Sequence, residues 1–113
     1  MNNPKFQLFK STVNNEFYYR LKAINGETIL SGEGYKTKQS CQIGIASVKL
    51  NAPHDSRYEK KTASNGQFYF VLKAANGEII GRSEMYTTMA ARDNGISAVK
   101  RDAPNAPTED LAG

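Results

Sequence analysis

The chain has 113 residues, 39% of them hydrophobic and 23% charged, with a formal net charge of +4. This is about one domain's length of ordinary globular composition. One cysteine (Cys41) and one histidine (His54) exclude an intramolecular disulfide, a thiolate metal cluster and a Cys/His-based metal site.

No run approaches the roughly 18 apolar residues of a membrane-crossing helix. The stretch Met1-Asn2-Asn3-Pro4-Lys5 lacks an apolar signal core, so a cytoplasmic protein that does not engage membranes is expected. Residues 1–53 carry seven Lys/Arg against three Glu, while residues 54–113 carry eight of each sign. Such a bias is compatible with a polyanionic partner, but it is far from a nucleic-acid signature and reads first as a solvated surface.

Phe6-Gln7-Leu8-Phe9-Lys10 alternates apolar and polar and predicts a first strand, followed by a polar turn over Ser11–Asn15. Phe17–Ala23 is the second strand. Phe17, Tyr19, Leu21 and Ala23 point one way, and Tyr18, Arg20 and Lys22 the other. The stretch then recurs 51 residues later: Phe17–Pro53 and Phe68–Pro104 share 18 identities in 37 positions without a gap. The chain is a tandem duplication of one unit. Each half is about 50 residues, a size at which a separate core is marginal, so the two copies are expected to share one.

Asn25-Gly26 closes a hairpin whose loop has two readings. A two-residue loop sets Leu21 opposite Leu30. A three-residue loop (Ile24-Asn25-Gly26, with the glycine left-handed) pairs Ala23 with Glu27 and Leu21 with Ile29. The second copy favours the longer loop, because Leu30 becomes Gly81 whereas Ile29 recurs as Ile80. Third strands are expected over about Glu27–Ser31 and Glu78–Ser83.

Thr37 and Thr88 are N-cap candidates for helices. Cys41, Ile45, Val48 and Ala52 form an apolar stripe, repeated by Ile96, Val99 and Ala103, with Arg92 in the place of Cys41. The Arg92 stem is expected to pack while its guanidinium reaches water. Gly44 and Gly95 inside these helices imply either close packing or a break, and Ala52-Pro53 and Ala103-Pro104 stop them. His54-Asp55-Ser56 links the halves. Arg57–Thr62 opens the second copy, with Tyr58 in the role of Phe6. Residues 105–113 are expected to be a disordered tail.

The expected fold is therefore α+β. Two β-β-β-α repeats (about 5–53 and 57–104, within one domain spanning 1–113) share one antiparallel sheet with both helices on one face.

Three motifs recur in order in both copies: Leu-Lys-Ala-x-Asn-Gly-Glu-x-Ile (Leu21–Ile29, Leu72–Ile80), Glu-x-Tyr (Glu33–Tyr35, Glu84–Tyr86) and Gly-Ile-x-x-Val-Lys (Gly44–Lys49, Gly95–Lys100). Over roughly residues 5–104 they resemble the YegP-like family of small, mostly bacterial, uncharacterised proteins. The resemblance implies two β(3)-α-β motifs building one sheet with C-terminal strands exchanged, so that the strand near Arg57–Thr62 bridges the halves. The chain departs from the family pattern at Ile43, where its counterpart is Asn94, and at Gly32, where the second copy has Ser83. The resemblance carries over no catalytic or ligand residues.

The residues themselves give no enzyme. Cys41 lies on an apolar helix stripe and His54 in a linker, so neither meets a nucleophile–base arrangement. Glu33/Glu84 and Glu27/Glu78 recur in register, as duplication alone requires, and the Asn-Gly turns lack the setting of a phosphate loop. No cofactor is expected. The candidate binding face is the sheet surface away from the helices: Tyr18, Arg20 and Lys22 with Tyr69, Val71 and Lys73. Such a face is either the ordinary wet side of an antiparallel sheet or a platform for weak, sequence-tolerant nucleic-acid binding. The leading expectation is a monomeric, non-enzymatic binding or structural module.

Overall fold

The computed structural model describes residues 3–113; Met1 and Asn2, part of the N-terminal stretch read above, lie outside them. The first copy contributes β1 (Lys5–Lys10), β2 (Phe17–Lys22), β3 (Thr28–Ser31) and α1 (Lys38–Asn51). The second contributes β4 (Tyr58–Thr62), β5 (Phe68–Lys73), β6 (Ile79–Arg82) and α2 (Met89–Asp102), and β7 (Thr108–Asp110) follows. All seven strands form one sheet in the order β4-β5-β6-β3-β2-β1-β7. The copies meet at its centre, where β3 and β6 share a single antiparallel pair, Ser31↔Arg82. β4 leaves the first copy's helix and pairs with β5 of the second, which is the bridging that strand exchange implies.

Two-residue alternation buries Phe6, Leu8, Tyr19, Leu21, Phe70 and Leu72 on one face, against Cys41, Ile45 and Val48 of α1 and Ile96 and Val99 of α2. One core therefore serves both copies. Each helix starts where the threonine hydroxyl accepts an amide: Ser40 N–H to Thr37 and Ala91 N–H to Thr88, both at 3.0 Å. Arg92 departs from expectation. Its guanidinium stays buried, 5.6 Å from the centre of the Phe68 ring, and bonds Asp93 at 3.2 Å instead of reaching water.

The hairpin loop is the three-residue one. Ala23 N–H donates to Glu27 O at 2.8 Å, and Gly26 and Gly77 have φ of 84° and 88°. The pairing beyond it is corrected, however, because Leu21 faces Leu30, not Ile29. A bulge between Leu21 and Lys22 leaves Ile29 as an extra residue, so the consecutive Ile29 and Leu30 are both buried. The same bulge sets Leu72 opposite Gly81.

Both helices run unbroken through Gly44 and Gly95. Tyr35 and Tyr86 exchange two backbone bonds with Phe17 and Phe68, which pins the segment entering each helix. Their rings lie beneath the glycines. A methyl group at Gly44 would overlap the Tyr35 hydroxyl and stand 2.8 Å from its ring carbon Cζ. At Gly95 the corresponding distances are 2.9 Å to Tyr86 Cζ and 3.2 Å to the buried Phe70 ring.

Residues 105–113 are not a disordered tail. Thr108–Asp110 pair with Phe6–Leu8 in parallel, which makes the sheet mixed at this edge. Phe6 N–H donates to Pro107 O and Leu111 N–H to Leu8 O, both at 2.8 Å, and Ala106 is buried. A strand held by backbone bonds needs no apolar side chains of its own.

Glycine-to-alanine in a helix interior is ordinarily stabilising by about 1 kcal/mol. Here Gly95→Ala is expected to lower stability by about 1–3 kcal/mol through overpacking, as measured by urea denaturation. A gain in stability would disprove the packing account.

Candidate functional site

The outer sheet face follows from register, because directly paired residues share a face. One row runs Gln7, Arg20, Ser31, Arg82, Val71 and Glu59 across six strands. Tyr18 and Lys22 flank Arg20 on β2, and Tyr69 and Lys73 flank Val71 on β5. Two strands separate β2 from β5, so the groups stand roughly 14 Å apart across the sheet. The two strands also run in opposite directions, which puts Tyr18 and Tyr69 at diagonal corners, about 20 Å apart. The structure therefore gives two clusters related by the duplication and does not bring the expected residues together as one track.

In the first cluster Tyr18 stacks on Phe9 with ring centres 5.9 Å apart, and the Arg20 guanidinium lies 4.6 Å from the Phe9 ring centre. Arg20 also donates to Gln7 at 2.8 Å, and Gln7 in turn donates to Glu109 at 2.8 Å. The Tyr18 hydroxyl accepts from Asn14, and the Lys22 ammonium donates to the Gly26 carbonyl at 3.1 Å. In the second cluster Arg82 lies 5.8 Å from the Tyr69 ring centre. Glu59 binds Lys73 at 2.9 Å and Lys61 at 3.4 Å.

These lysines hold the Glu59 carboxyl below its ordinary value, chiefly through the Lys73 hydrogen bond and then through the charge of Lys61. Val71, expected at the surface, is fully buried yet outside the main core cluster. Arg82 and Glu59 stand directly beside it, and long polar chains of this kind can cover an apolar residue. Sequence reasoning missed Phe9 and Arg82. Phe9 falls on the outward phase of a strand assigned from Phe6 and Leu8, and Arg82 has no basic counterpart in the first copy, where Ser31 stands.

The remaining candidates stay apart. Cys41 is fully buried, and burial pushes its thiol up to about 11, away from the thiolate a nucleophile needs. His54, Glu33 and Glu84 are exposed on separate segments. Of the recurring glutamates, Glu27 and Glu84, one from each copy, share a groove beside Lys22, Ile29 and Tyr86 in a space of about 560 Å³. Among the described residues no three His, Cys, Asp or Glu side chains converge as a metal site, and no helix is long and apolar enough to cross a membrane.

A domain of unknown function, DUF1508, matches twice, at residues 13–59 and 63–110. The chain is 54% identical over 105 residues to the UPF0339 protein YegP of Escherichia coli K12, covering 93% of this chain and 94% of that one. It is 56% identical over 95 residues to a UPF0339 protein of Bordetella pertussis, covering 84% and 86%. The solution structure of the E. coli protein of unknown function yegP superimposes with a TM-score of 0.91 at 51% identity, over 100% of this chain and 97% of that one. A UPF0339 structure from Shewanella oneidensis gives 0.90 at 46% identity, over 96% and 92%. With both repeats matched and the whole fold shared, the chain belongs to the YegP-like UPF0339 family of paired DUF1508 repeats.

Proposed function

We propose that this chain is a small, non-catalytic binding or structural module that works as a cytoplasmic monomer, its two repeats acting as one domain. The observation that supports this reading is the outer face. Arg20, Lys22 and Lys73 each have a partner within the chain, and the half-buried rings are stacked or covered by the chain's own side chains. A surface joined in this way is suited to holding its shape while other parts make contacts.

A second reading, weak and sequence-tolerant binding of single-stranded nucleic acid, is favoured by the ring–cation pairing in both clusters: Arg20 with Phe9 and Arg82 with Tyr69. Bases stack on such rings while the cations meet phosphates. The diagonal placement of Tyr18 and Tyr69 counts against a continuous strand track.

A labelled dT oligonucleotide titrated at 20 mM salt is expected to give no saturable binding. Saturable binding that is abolished by Tyr18→Ala/Tyr69→Ala would establish the second reading instead. Light scattering is expected to return the mass of one chain.

The Glu59 contacts give a separate expectation. A carboxyl whose folded pKa is depressed contributes stability that is present above its unfolded value, near 4.5, and lost as pH falls through the folded value. Carboxyl ¹³C shifts are expected to titrate below 4.5 in the native chain and to move upward in Lys73→Met. Identical titration in the two proteins would remove Lys73 as the cause.

A further inference from the structure

We propose that the outer edge of β1 is a strand-accepting site for an extended, acidic peptide segment of a partner protein, and that β7 sits in it as the chain's own stand-in. This gives the binding-module reading a partner and rests on it, at an edge to which neither Tyr18 nor Tyr69 contributes.

The first argument is how β7 is held. All three of its residues are exposed. Its attachments are the backbone bonds from Phe6 to Pro107 and from Leu111 to Leu8, the ion pairs Lys5–Glu109 at 3.1 Å and Lys38–Asp110 at 2.9 Å, and the Gln7–Glu109 bond. Only small side chains reach the core, Ala106 on one side and Ala112 on the other. Recognition by main chain plus charge is the logic of strand addition. It is met by any extended segment that carries two adjacent carboxylates flanked by small residues.

The second argument is that the duplication supplies its own control. β4 is the counterpart of β1: Tyr58 faces Leu72 as Phe6 faces Leu21. β4 nevertheless ends the sheet, with no strand beyond it among the described residues. Lys60 occupies the inward position that Leu8 occupies in β1, paired with Phe70 as Leu8 is with Tyr19. Its ammonium binds Asp93 at 3.2 Å, across a groove of about 430 Å³ that also holds Asp55 and Lys100. An inward-pointing charge on an edge strand resists the addition of another strand. Leu8 and Phe6 carry no such guard and are fully buried. The chain thus finishes one end against strands and fits the other to receive one, with Lys5 and Lys38 selecting for acid.

The test uses the full chain with Glu109→Lys/Asp110→Lys, which sets β7 against Lys5 and Lys38. Amide exchange at Phe6 and Leu111 is expected to speed up at least tenfold while α1 and α2 keep their protection. The probe is labelled acetyl-Ala-Pro-Thr-Glu-Asp-Leu-Ala-amide. It should bind the charge-reversed chain at least tenfold more tightly than the native chain, whose own β7 competes at the high effective concentration of a tethered segment, and it should restore Phe6 protection. A peptide with Lys-Lys in place of Glu-Asp should bind at least tenfold more weakly.

Unchanged exchange at Phe6 and Leu111, absence of saturable binding, equal binding of the two peptides, or perturbation at β4 in place of β1 would each overturn the proposal. So would concentration-dependent dimerisation that excludes the peptide, which would make a second copy the occupant. If the first variant unfolds, Lys5→Glu/Lys38→Glu loosens the same contact from the other side, and there the Lys-Lys peptide should bind. Unfolding of both variants would make β7 an integral strand and end the idea. The oligonucleotide titration, which reads the outer face and not the β1 edge, is run on the same chains, so failure at this edge and failure at the outer face are read separately.

Discussion

Leu30 lies over Gly81 at the centre of the sheet, and the rest of the molecule depends on that unequal pair. Duplicated units that meet about an axis bring each residue near it against its own counterpart. A Cβ on Gly81 would stand 2.8–3.1 Å from the Leu30 side chain, so two leucines could not both occupy the space. The sequence solves this by giving one copy the side chain and the other the room. A second exchange accompanies it. Tyr19 sends its hydroxyl across the join to the Ile80 carbonyl, and a side chain at Gly32 would overlap its ring. The counterpart Phe70 has no hydroxyl to send, and Ser83, standing where the first copy has Gly32, accepts from Phe70 N–H at 3.0 Å and donates to Glu84 O at 2.8 Å. With only one backbone pair between β3 and β6, these side chains make two marginal half-cores into one.

The differences between the copies carry more information than their likeness. Leu21, Asn25-Gly26 and the helix glycines recur because each folding unit needs them. Lys60 for Leu8, Arg82 for Ser31 and Asn94 for Ile43 are positions where the same local structure tolerates opposite chemistry. At the first of these the surroundings differ, because Leu8 is fully buried while Lys60 is exposed and binds Asp93.

Alternation and repetition made the strands, helices, N-caps and shared core legible, because each of these depends on contacts a few residues apart or on a pattern written twice. The bulge at Ile29 was not legible. Its only sign is two adjacent apolar residues, which a regular strand would also bear at its end. β7 was hidden for a different reason: Thr108, Glu109 and Asp110 bury nothing, and their strand conformation comes from pairing with residues about a hundred positions earlier. The candidate residues share one side of the sheet but fall in two clusters. Tyr18 and Tyr69 fall on the same side by period, while their diagonal separation follows from a strand order that no local pattern encodes. The guanidinium of Arg92 likewise found Phe68 and Asp93, not water, through contacts that its helix alone does not specify.

The two ends of the sheet are unlike. A sheet with an open edge can lengthen as copies add strand to strand, which is how soluble domains become fibres. Here one end presents a short acidic strand, and the other holds Lys60 of β4 on the helix side against Asp93, so a copy adding at β4 would have to bury that charge. Duplication, which ordinarily multiplies the opportunities for runaway polymerisation, has in this chain been given a terminator at the β4 end.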